Sequence, residues 1–328
     1  MKLSVAMATY NGSAYIEEQL ESIREQKRQF DEVIIVDDSS KDNTYTKILQ
    51  FIRRYHLTEW KAYQNEHNLG YIQNFRKVIS MCTGDIIFTC DQDDIWHQNK
   101  AQEFEYLFTQ KKEAKVIASS LRLIDNRGEG INKAFIPYGL VRVGGGELTQ
   151  IGFMSIMEKN FFPGCVMAFR KQIAREYLQQ TSCGEQNRTT VQHDWMILIL
   201  GSVQEGLYWY NVPLTNYRIH EKNTAGLYAA DYSGIRYALK TLETWPEYLE
   251  MQYQRVYAIR NYIFSAKEKI KDDYRKLKVF VDLRYKVYKT HKMHTYLREV
   301  RWYVKYMRND IDYRGIILDL LLSLRNII

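Results

Sequence analysis

An apolar run leads directly into three carboxylates in the segment Ile86-Ile87-Phe88-Thr89-Cys90-Asp91-Gln92-Asp93-Asp94-Ile95-Trp96. A strand this apolar is expected to be buried, and carboxylates at its end are costly to desolvate unless positive charge meets them. A hard divalent cation, Mg2+ or Mn2+, meets that need, because such ions take oxygen ligands, commonly one or two carboxylates together with substrate phosphates. The cluster therefore points to a phosphorylated ligand; the alternative is a solvated Asp-rich turn. Two further polar clusters, Thr9-Tyr10-Asn11 and Asp37-Asp38-Ser39, also follow apolar runs, Leu3–Met7 and Glu32–Val36.

The elements that must carry these clusters alternate in type. Helical patterns cover Tyr15–Gln26 and Thr44–Tyr55, and a further helix puts Phe75, Val78, Ile79 and Cys82 on one face at i, i+3, i+4, i+7 spacing before the acidic strand. The order βαβαβ predicts an α/β fold, a Rossmann-like, doubly wound, mostly parallel sheet with helices on both faces. Ligands of such sheets bind beyond the carboxyl ends of the strands, where all three clusters fall. Gly144-Gly145-Gly146, after Pro137-Tyr138-Gly139, follows no clear strand and lacks the Lys-Ser/Thr ending of a phosphate loop, so it is read as a flexible connection or lid.

The 328 residues suit one large α/β domain with an appendage, and 45% hydrophobic with 14% aromatic content is globular. Four scattered cysteines form no CxxC pair, which argues against a zinc site or a disulfide framework and fits a reducing cytoplasm. The first ten residues are too short an apolar stretch for a signal peptide, and no apolar stretch approaches the ~18 residues needed to span a bilayer. Charge divides the chain at about residue 230. Residues 231–328 hold 20 Lys+Arg against 12 Asp+Glu, net +8, whereas residues 1–230 hold 26 against 27. The expected organisation is a catalytic domain over 1–230 and a basic helical module over 231–328, in which Trp245-Pro246 interrupts one helix. The tail from Ile316 to Leu324 is apolar but too short to span. This module suits peripheral contact with an anionic membrane, or else packing and homodimerisation; no nucleic-acid reader motif is present.

Taken in order, Ala8-Thr9-Tyr10-Asn11, Val36-Asp37-Asp38-Ser39-Ser40-Lys41-Asp42-Asn43-Thr44, Asn68-Leu69-Gly70 and Asp91-Gln92-Asp93-Asp94 resemble the inverting glycosyltransferases of family 2. Gly164-Cys165, His193-Asp194-Trp195 and Tyr217-Arg218-Ile219-His220-Glu221-Lys222-Asn223 look like the corresponding elements of its rhamnosyltransferase-like branch. The resemblance covers residues 1 to about 226 and implies a GT-A fold with a nucleotide-diphosphate sugar as donor. It matches Asp38 to the acceptor of a uracil or thymine ring N–H, with Thr9, Tyr10 and Asn11 lining the donor site. An ionised carboxylate accepts only, as that contact needs. It matches Asp91 and Asp93 to the metal-binding element, Asp93 coordinating directly and Asp91 holding the ribose or a metal-bound water. Asp194 matches the general base, and Arg218 and His220 fall in a loop that closes over the donor. Arg218 suits phosphate; His220 suits phosphate or the metal shell.

Each residue has a plainer alternative. Asp38 and Asp194 are also suited to helix capping, and Asp94 either backs the cluster or, as favoured, starts the next helix. Arg76 is a possible diphosphate contact but reads better as a solvated helix residue, and His193 reads as structural. The expected activity is transfer of L-rhamnose from dTDP-rhamnose, or of a hexose or N-acetylhexosamine from UDP, to a saccharide or lipid-linked saccharide acceptor at the inner face of the cell membrane. The competing functions are an inactive nucleotide-sugar or polysaccharide-binding module, which would lack Asp93 or Asp194, and a sugar-phosphate nucleotidyltransferase. The latter would need a basic, glycine-rich loop where Thr9-Tyr10-Asn11-Gly12-Ser13 stands.

Overall fold

The structure, a computed structural model, describes residues 1–134, 145–158, 160, 162–179, 191–221 and 235–290. In chain order the first elements are β1 (Leu3–Thr9), α1 (Ile16–Arg24), β2 (Glu32–Asp37), α2 (Thr44–Arg54), β3 (Trp60–Gln64), α3 (Tyr71–Met81), β4 (Ile86–Cys90), β5 (Ile95–Trp96) and α4 (Lys100–Gln110). There follow β6 (Val116–Ile124), β7 (Gly130–Ala134), β8 (Leu148–Gln150), α5 (Phe153–Glu158), a short 3-10 turn (Gly164–Val166), β9 (Met167–Arg170), α6 (Lys171–Gln179), α7 (His193–Val203) and β10 (Leu207–Arg218). The last described elements are α8 (Ile235–Ala258), α9 (Arg260–Ile263) and α10 (Glu268–Thr290).

The chain divides into two compact units: the first holds the sheet with α1–α4, α6 and α7, the second α5 and α8–α10. In the first unit ten strands form one sheet in the order β3-β2-β1-β4-β9-β6-β10-β5, with β7 on β6 and β8 on β10. The longest ladders are parallel, β1 with β2 and β4, β2 with β3, and β6 with β10; β9 enters antiparallel between β4 and β6. Every residue of β1, β2 and β4 is buried, which is why these strands read as continuous apolar runs rather than alternating ones. One face packs Leu3, Val5, Met7, Val33, Ile35 and Phe88 on Leu20, Ile23, Phe104 and Phe108; on α3, Phe75, Val78 and Ile79 are buried as their spacing predicts. The fold is the α/β architecture expected.

Three local readings change. β3 is an additional strand, missed because Trp60-Lys61-Ala62-Tyr63-Gln64 lies at the sheet edge with little apolar content. Asp94 starts no helix: β5 follows at once, and α4 begins only at Lys100. Pro246 interrupts nothing, since α8 runs through it. The missing N–H removes one rung of the ladder, and the packing of α8 on α10, with Leu249, Val256 and Leu277 buried, outweighs that loss. Among the described residues no helix is long and apolar enough to cross a membrane. Pro137-Tyr138-Gly139, Gly144, Cys183, Lys222-Asn223 and the apolar tail lie outside the described residues.

Candidate active site

The register of the parallel strands builds the site. Thr9 lies level with Asp37 across β1 and β2, and Met7 level with Cys90 across β1 and β4. The residues that follow, Tyr10-Asn11, Asp38-Ser39 and Asp91-Gln92-Asp93, therefore leave the sheet side by side. Asn11 and Ser39 both hold left-handed backbone, with φ of 49° and 62°, an unfavourable conformation for side chains other than glycine that tends to occur where function fixes a loop. Cross-links hold the loops in place. Asn11 N–H donates to Ser40 Oγ (2.8 Å), and Lys41 N–H to Asn11 Oδ1 (2.8 Å). The Gln92 amide brackets the Tyr10 backbone, accepting its N–H at 2.8 Å and donating to its carbonyl at 2.9 Å. Gly12 leaves the space this amide occupies, since a Cβ there would overlap it.

The two adjacent aspartates after β2 do different work. Asp37 is wholly buried and accepts four hydrogen bonds, from Ser40 N–H (2.9 Å), Gln64 (3.0 Å), the Thr9 hydroxyl (3.0 Å) and the Ser40 hydroxyl (2.5 Å). Its lone pairs are filled, so it shapes the loop. Asp38, also buried, accepts three: Oδ1 takes Asn65 Nδ2 (2.7 Å) and Leu69 N–H (2.8 Å), and Oδ2 takes Gly70 N–H (2.9 Å). One lone pair of Oδ2 is left. Asp38 thus fixes the Asn68-Leu69-Gly70 turn, whose glycine has φ of +82° and opens α3. Thr9 is buried, whereas Tyr10 is exposed beside it.

The acidic cluster sits above a buried cation. Asp94 is 1% exposed; its Oδ1 accepts the backbone N–H of Arg218 at 3.0 Å, and its Oδ2 has no hydrogen-bond partner. Donor atoms of Asp91, Asp94 and Cys165 lie within 4.8 Å of one another, while Asp93 Oδ2 meets His220 Nε2 at 2.9 Å. Burial, and then the charge of Asp93, hold the Asp91 and Asp94 carboxyls well above the usual carboxylate range. Burial likewise raises the Cys165 thiol, which stays protonated and a poor metal ligand. Lys100, fully buried, donates to the Cys165 carbonyl (2.6 Å) and the Thr215 hydroxyl (2.9 Å) and lies 3.8 Å from the centre of the Trp96 ring. Desolvation lowers its pKa to about 8, and the charges of Asp94 and Asp91 oppose that drop. A carboxylate pair with an uncompensated buried oxygen, flanked by a third carboxylate and an imidazole, is a donor set that fits Mg2+ or Mn2+.

Arg218 is wholly buried. Its guanidinium donates to the carbonyls of Asp93 (2.8 Å), Asp125 (3.3 Å) and Asn126 (3.3 Å) and to Glu18 (2.6 Å), and it lies over the Tyr15 ring. In this structure it braces the Asp93 loop from behind rather than reaching outward. His220, two residues on, stacks on the same Tyr15 ring at 5.0 Å.

Asp194 stands in the first turn of α7, a helix buried along its whole length. It is 7% exposed; Oδ1 accepts Trp195 N–H at 2.7 Å and Oδ2 accepts Asn160 Nδ2 at 2.9 Å. Burial pushes it up to about 6, against those two hydrogen bonds and a third from its own backbone N–H. Its charge reaches Asp91, Tyr71 and Tyr177. His193 stacks on Phe75 with ring centres 3.7 Å apart and is driven by burial to about 3, a neutral packing residue. Arg76 donates to the Leu178 carbonyl at 2.6 Å. Sequence reasoning did not reach Asn160, Lys100, Glu18 or the bracketing role of Gln92, since nothing in their local sequence signals partners that lie far along the chain.

Known proteins share sequence and fold with this one. A dTDP-rhamnosyl transferase of Shigella flexneri, RfbG, is 29% identical over 232 residues, 67% of this chain and 73% of its own length. An O-antigen biosynthesis glycosyltransferase of Escherichia coli, WbnJ, is 25% identical over 245 residues, covering 73% of this chain and 87% of its own. Among solved structures, Staphylococcus aureus TarS 1-349 in complex with UDP superposes with a TM-score of 0.53 at 17% identity, over 85% of this chain and 90% of that one. The Pyrobaculum calidifontis mannosyltransferase PcManGT, in complex with GDP-Man and Mn2+, superposes with a TM-score of 0.52 at 13% identity, over 98% and 87%. The sequence model described as Glycosyl transferase family 2 matches residues 4–178, more than half of the chain, and with the GT-A architecture and the aspartate loops in place, the protein belongs to glycosyl transferase family 2.

Proposed function

We propose that this glycosyltransferase moves a sugar from a dTDP- or UDP-linked donor, dTDP-L-rhamnose foremost, to a hydroxyl of a saccharide or lipid-linked saccharide during surface polysaccharide synthesis, with inversion at the anomeric carbon. The observation that supports this reading is that the Asp38 and Asp91–Asp94 loops leave the carboxyl ends of β2 and β4 side by side, with the charge of Asp194, at the start of α7, reaching Asp91. The rhamnosyl and O-antigen assignments of the two relatives support the donor and the pathway.

In this reading Asp38 accepts the ring N–H of the base with the remaining lone pair of Oδ2, and Thr9, Tyr10 and Asn11 line the nucleotide. Asp93, Asp91 and His220 would hold Mg2+ or Mn2+, as the Mn2+ complex of the mannosyltransferase encourages; the ion supplies neutralisation of the diphosphate leaving group. Asp194 takes the proton of the acceptor hydroxyl as that oxygen bonds to the anomeric carbon and the bond to the diphosphate oxygen breaks on the opposite face. The nucleoside diphosphate leaves unprotonated, so one base suffices. A carboxyl raised to about 6 is ionised at neutral pH and still a stronger base than an ordinary aspartate. Arg218 and Lys100 keep the acidic loop in place from beneath. The sheet-bearing unit within residues 1–230 is the catalytic domain, and the basic residues 231–328 bring it to the inner face of an anionic membrane, where lipid-linked acceptors reside.

The test is calorimetric binding of dTDP and of UDP to the purified protein, each with Mn2+ and with EDTA. Metal-dependent binding of one of them is expected. Binding of neither overturns the donor assignment and shifts the reading to an inactive binding module.

A further inference from the structure

The Asp194 carboxylate is held by donors of two origins, backbone N–H groups of its own helix and one side chain. Oδ1 takes a backbone N–H of its own helix, that of Trp195 at 2.7 Å. Oδ2 takes the side-chain amide of Asn160, from a segment more than thirty residues earlier, at 2.9 Å. The amide cannot turn round, because its other end is committed: Asn160 Oδ1 accepts the N–H of Phe162 at 3.1 Å, and Phe162 is wholly buried. With the carbonyl oxygen fixed on Phe162, the NH2 group must face Asp194. The terminal torsion of an aspartate is broad and roughly two-fold, so a base whose proton acceptor must point at one hydroxyl needs both oxygens restrained. Backbone N–H groups of α7 supply part of that restraint, and Asn160 is the side-chain donor on Oδ2, the oxygen opposite the one that Trp195 holds.

We infer that Asn160 is the positioning residue of the base, holding Asp194 in the one orientation in which the open lone pair of Oδ2 meets the acceptor hydroxyl. This rests on the reading of Asp194 as the base. The contact is a hydrogen bond to the charged form, so it also favours ionisation against the burial that raises this carboxyl. The other groups that face Asp194 are the Asp91 carboxylate and the phenols of Tyr71 and Tyr177, with the neutral His193 ring beside it and Arg76 acting on Tyr177. None of them changes when Asn160 is replaced, so a difference between variants reports the amide.

The test reads protonation and turnover separately. The Asp194 carboxyl is titrated by infrared difference spectroscopy, with Asp194→Asn as the blank, in the wild type, Asn160→Ala and Asn160→Asp. In Asn160→Ala the midpoint is expected to rise by about one pH unit, a tenfold change in proton affinity, as befits loss of one hydrogen bond to a charged group. In Asn160→Asp, which keeps an acceptor for Phe162 and the same size, it is expected to rise further through like charge. Nucleoside diphosphate release from dTDP-L-rhamnose and from UDP-glucose with Mn2+ is expected to fall about tenfold in kcat in Asn160→Ala, with donor KM unchanged. A midpoint unmoved in both variants overturns the inference, and Asn160→Asp carries the test if Asn160→Ala melts early. The base reading fails separately: Asp194→Asn that still releases the diphosphate at the wild-type rate sinks the base, whereas an inactive Asp194→Asn with an unmoved Asn160→Ala midpoint sinks only the role of Asn160.

Discussion

Replacing Gly164 by alanine tests whether Asp194, the proposed base, is located by packing. A Cβ on Gly164 would stand 2.9 Å from His193 Nε2, 3.6 Å from its Cε1 and 3.7 Å from the Asp194 Cβ. Ordinary contact begins near 3.4 Å, so something must move by about half an ångström. The glycine backbone is poorly placed to yield: its carbonyl accepts the Thr89 hydroxyl at 2.7 Å, and the next carbonyl, of Cys165, accepts Lys100 at 2.6 Å. His193 is pressed against Phe75 with ring centres 3.7 Å apart. The shift therefore passes into the first turn of α7 and to Asp194. Overpacking of this kind costs about 1–3 kcal/mol, which at roughly 2–4 °C per kcal/mol lowers the melting temperature by about 2–12 °C. A displacement of about 1 Å costs about a hundredfold in rate, so half of that predicts about tenfold in kcat. Donor KM should not change, because Asp38 and the acidic loop lie on other elements. Differential scanning fluorimetry and steady-state kinetics read the two effects. Gly164→Ala with wild-type kcat and a lowered melting temperature would refute the argument that this packing sets the base.

Asp194→Asn is expected to keep donor affinity by calorimetry and lose about 10²–10⁴-fold in transfer, the range of general-base catalysis. In the wild type kcat/KM should fall tenfold per pH unit below about 6, where Asp194 takes up its proton; a limb near 4 instead would contradict the buried environment. Arg218→Lys loses the fork that serves the Asp93 and Asn126 carbonyls together, because an ammonium lacks the spread of a guanidinium, whereas the Asp125 carbonyl keeps the N–H of Gly128. It should lose roughly 2–4 kcal/mol by urea denaturation and weaken Mn2+ binding. Asp91 and Asp94 bind protons more tightly folded than unfolded, so the stability linked to them is present below the ordinary carboxylate range and is lost as pH rises toward neutrality. Between about pH 5 and pH 8 the EDTA-treated protein should therefore melt progressively lower, and Mn2+ should restore more at the upper end than at the lower. A cation effect equal at both ends would argue against these carboxylates as its site.

How far the sequence could be read follows from how local each signal is. The strands β1, β2 and β4 and the helices α1, α2 and α3 carry their pattern within a few residues, and burial on both faces writes itself as an unbroken apolar run. The aspartate loops are legible for the same reason: a carboxylate cluster at the end of such a run has few inexpensive explanations. The partners of the site residues are another matter. Arg218 reads as a phosphate ligand by residue type, yet its ion pair is with Glu18, two hundred residues earlier, and its carbonyl partners come from two further loops. Lys100 carries no local signal of its role, yet it is buried next to the acidic cluster, because the first turn of α4 is covered by the Cys165 carbonyl and the Trp96 ring. Asp38 shows the two cases joined. Its type and place after β2 are visible in the sequence, but its hold on the amides of Leu69 and Gly70 appears only when β2 and the start of α3 are brought together. If Asp38 binds the nucleobase as proposed, its hold on this turn ties the donor pocket to α3. Since α3 also carries Phe75, against which His193 is packed, the same helix that receives Asp38 at its first turn supports the neighbour of Asp194 in its second.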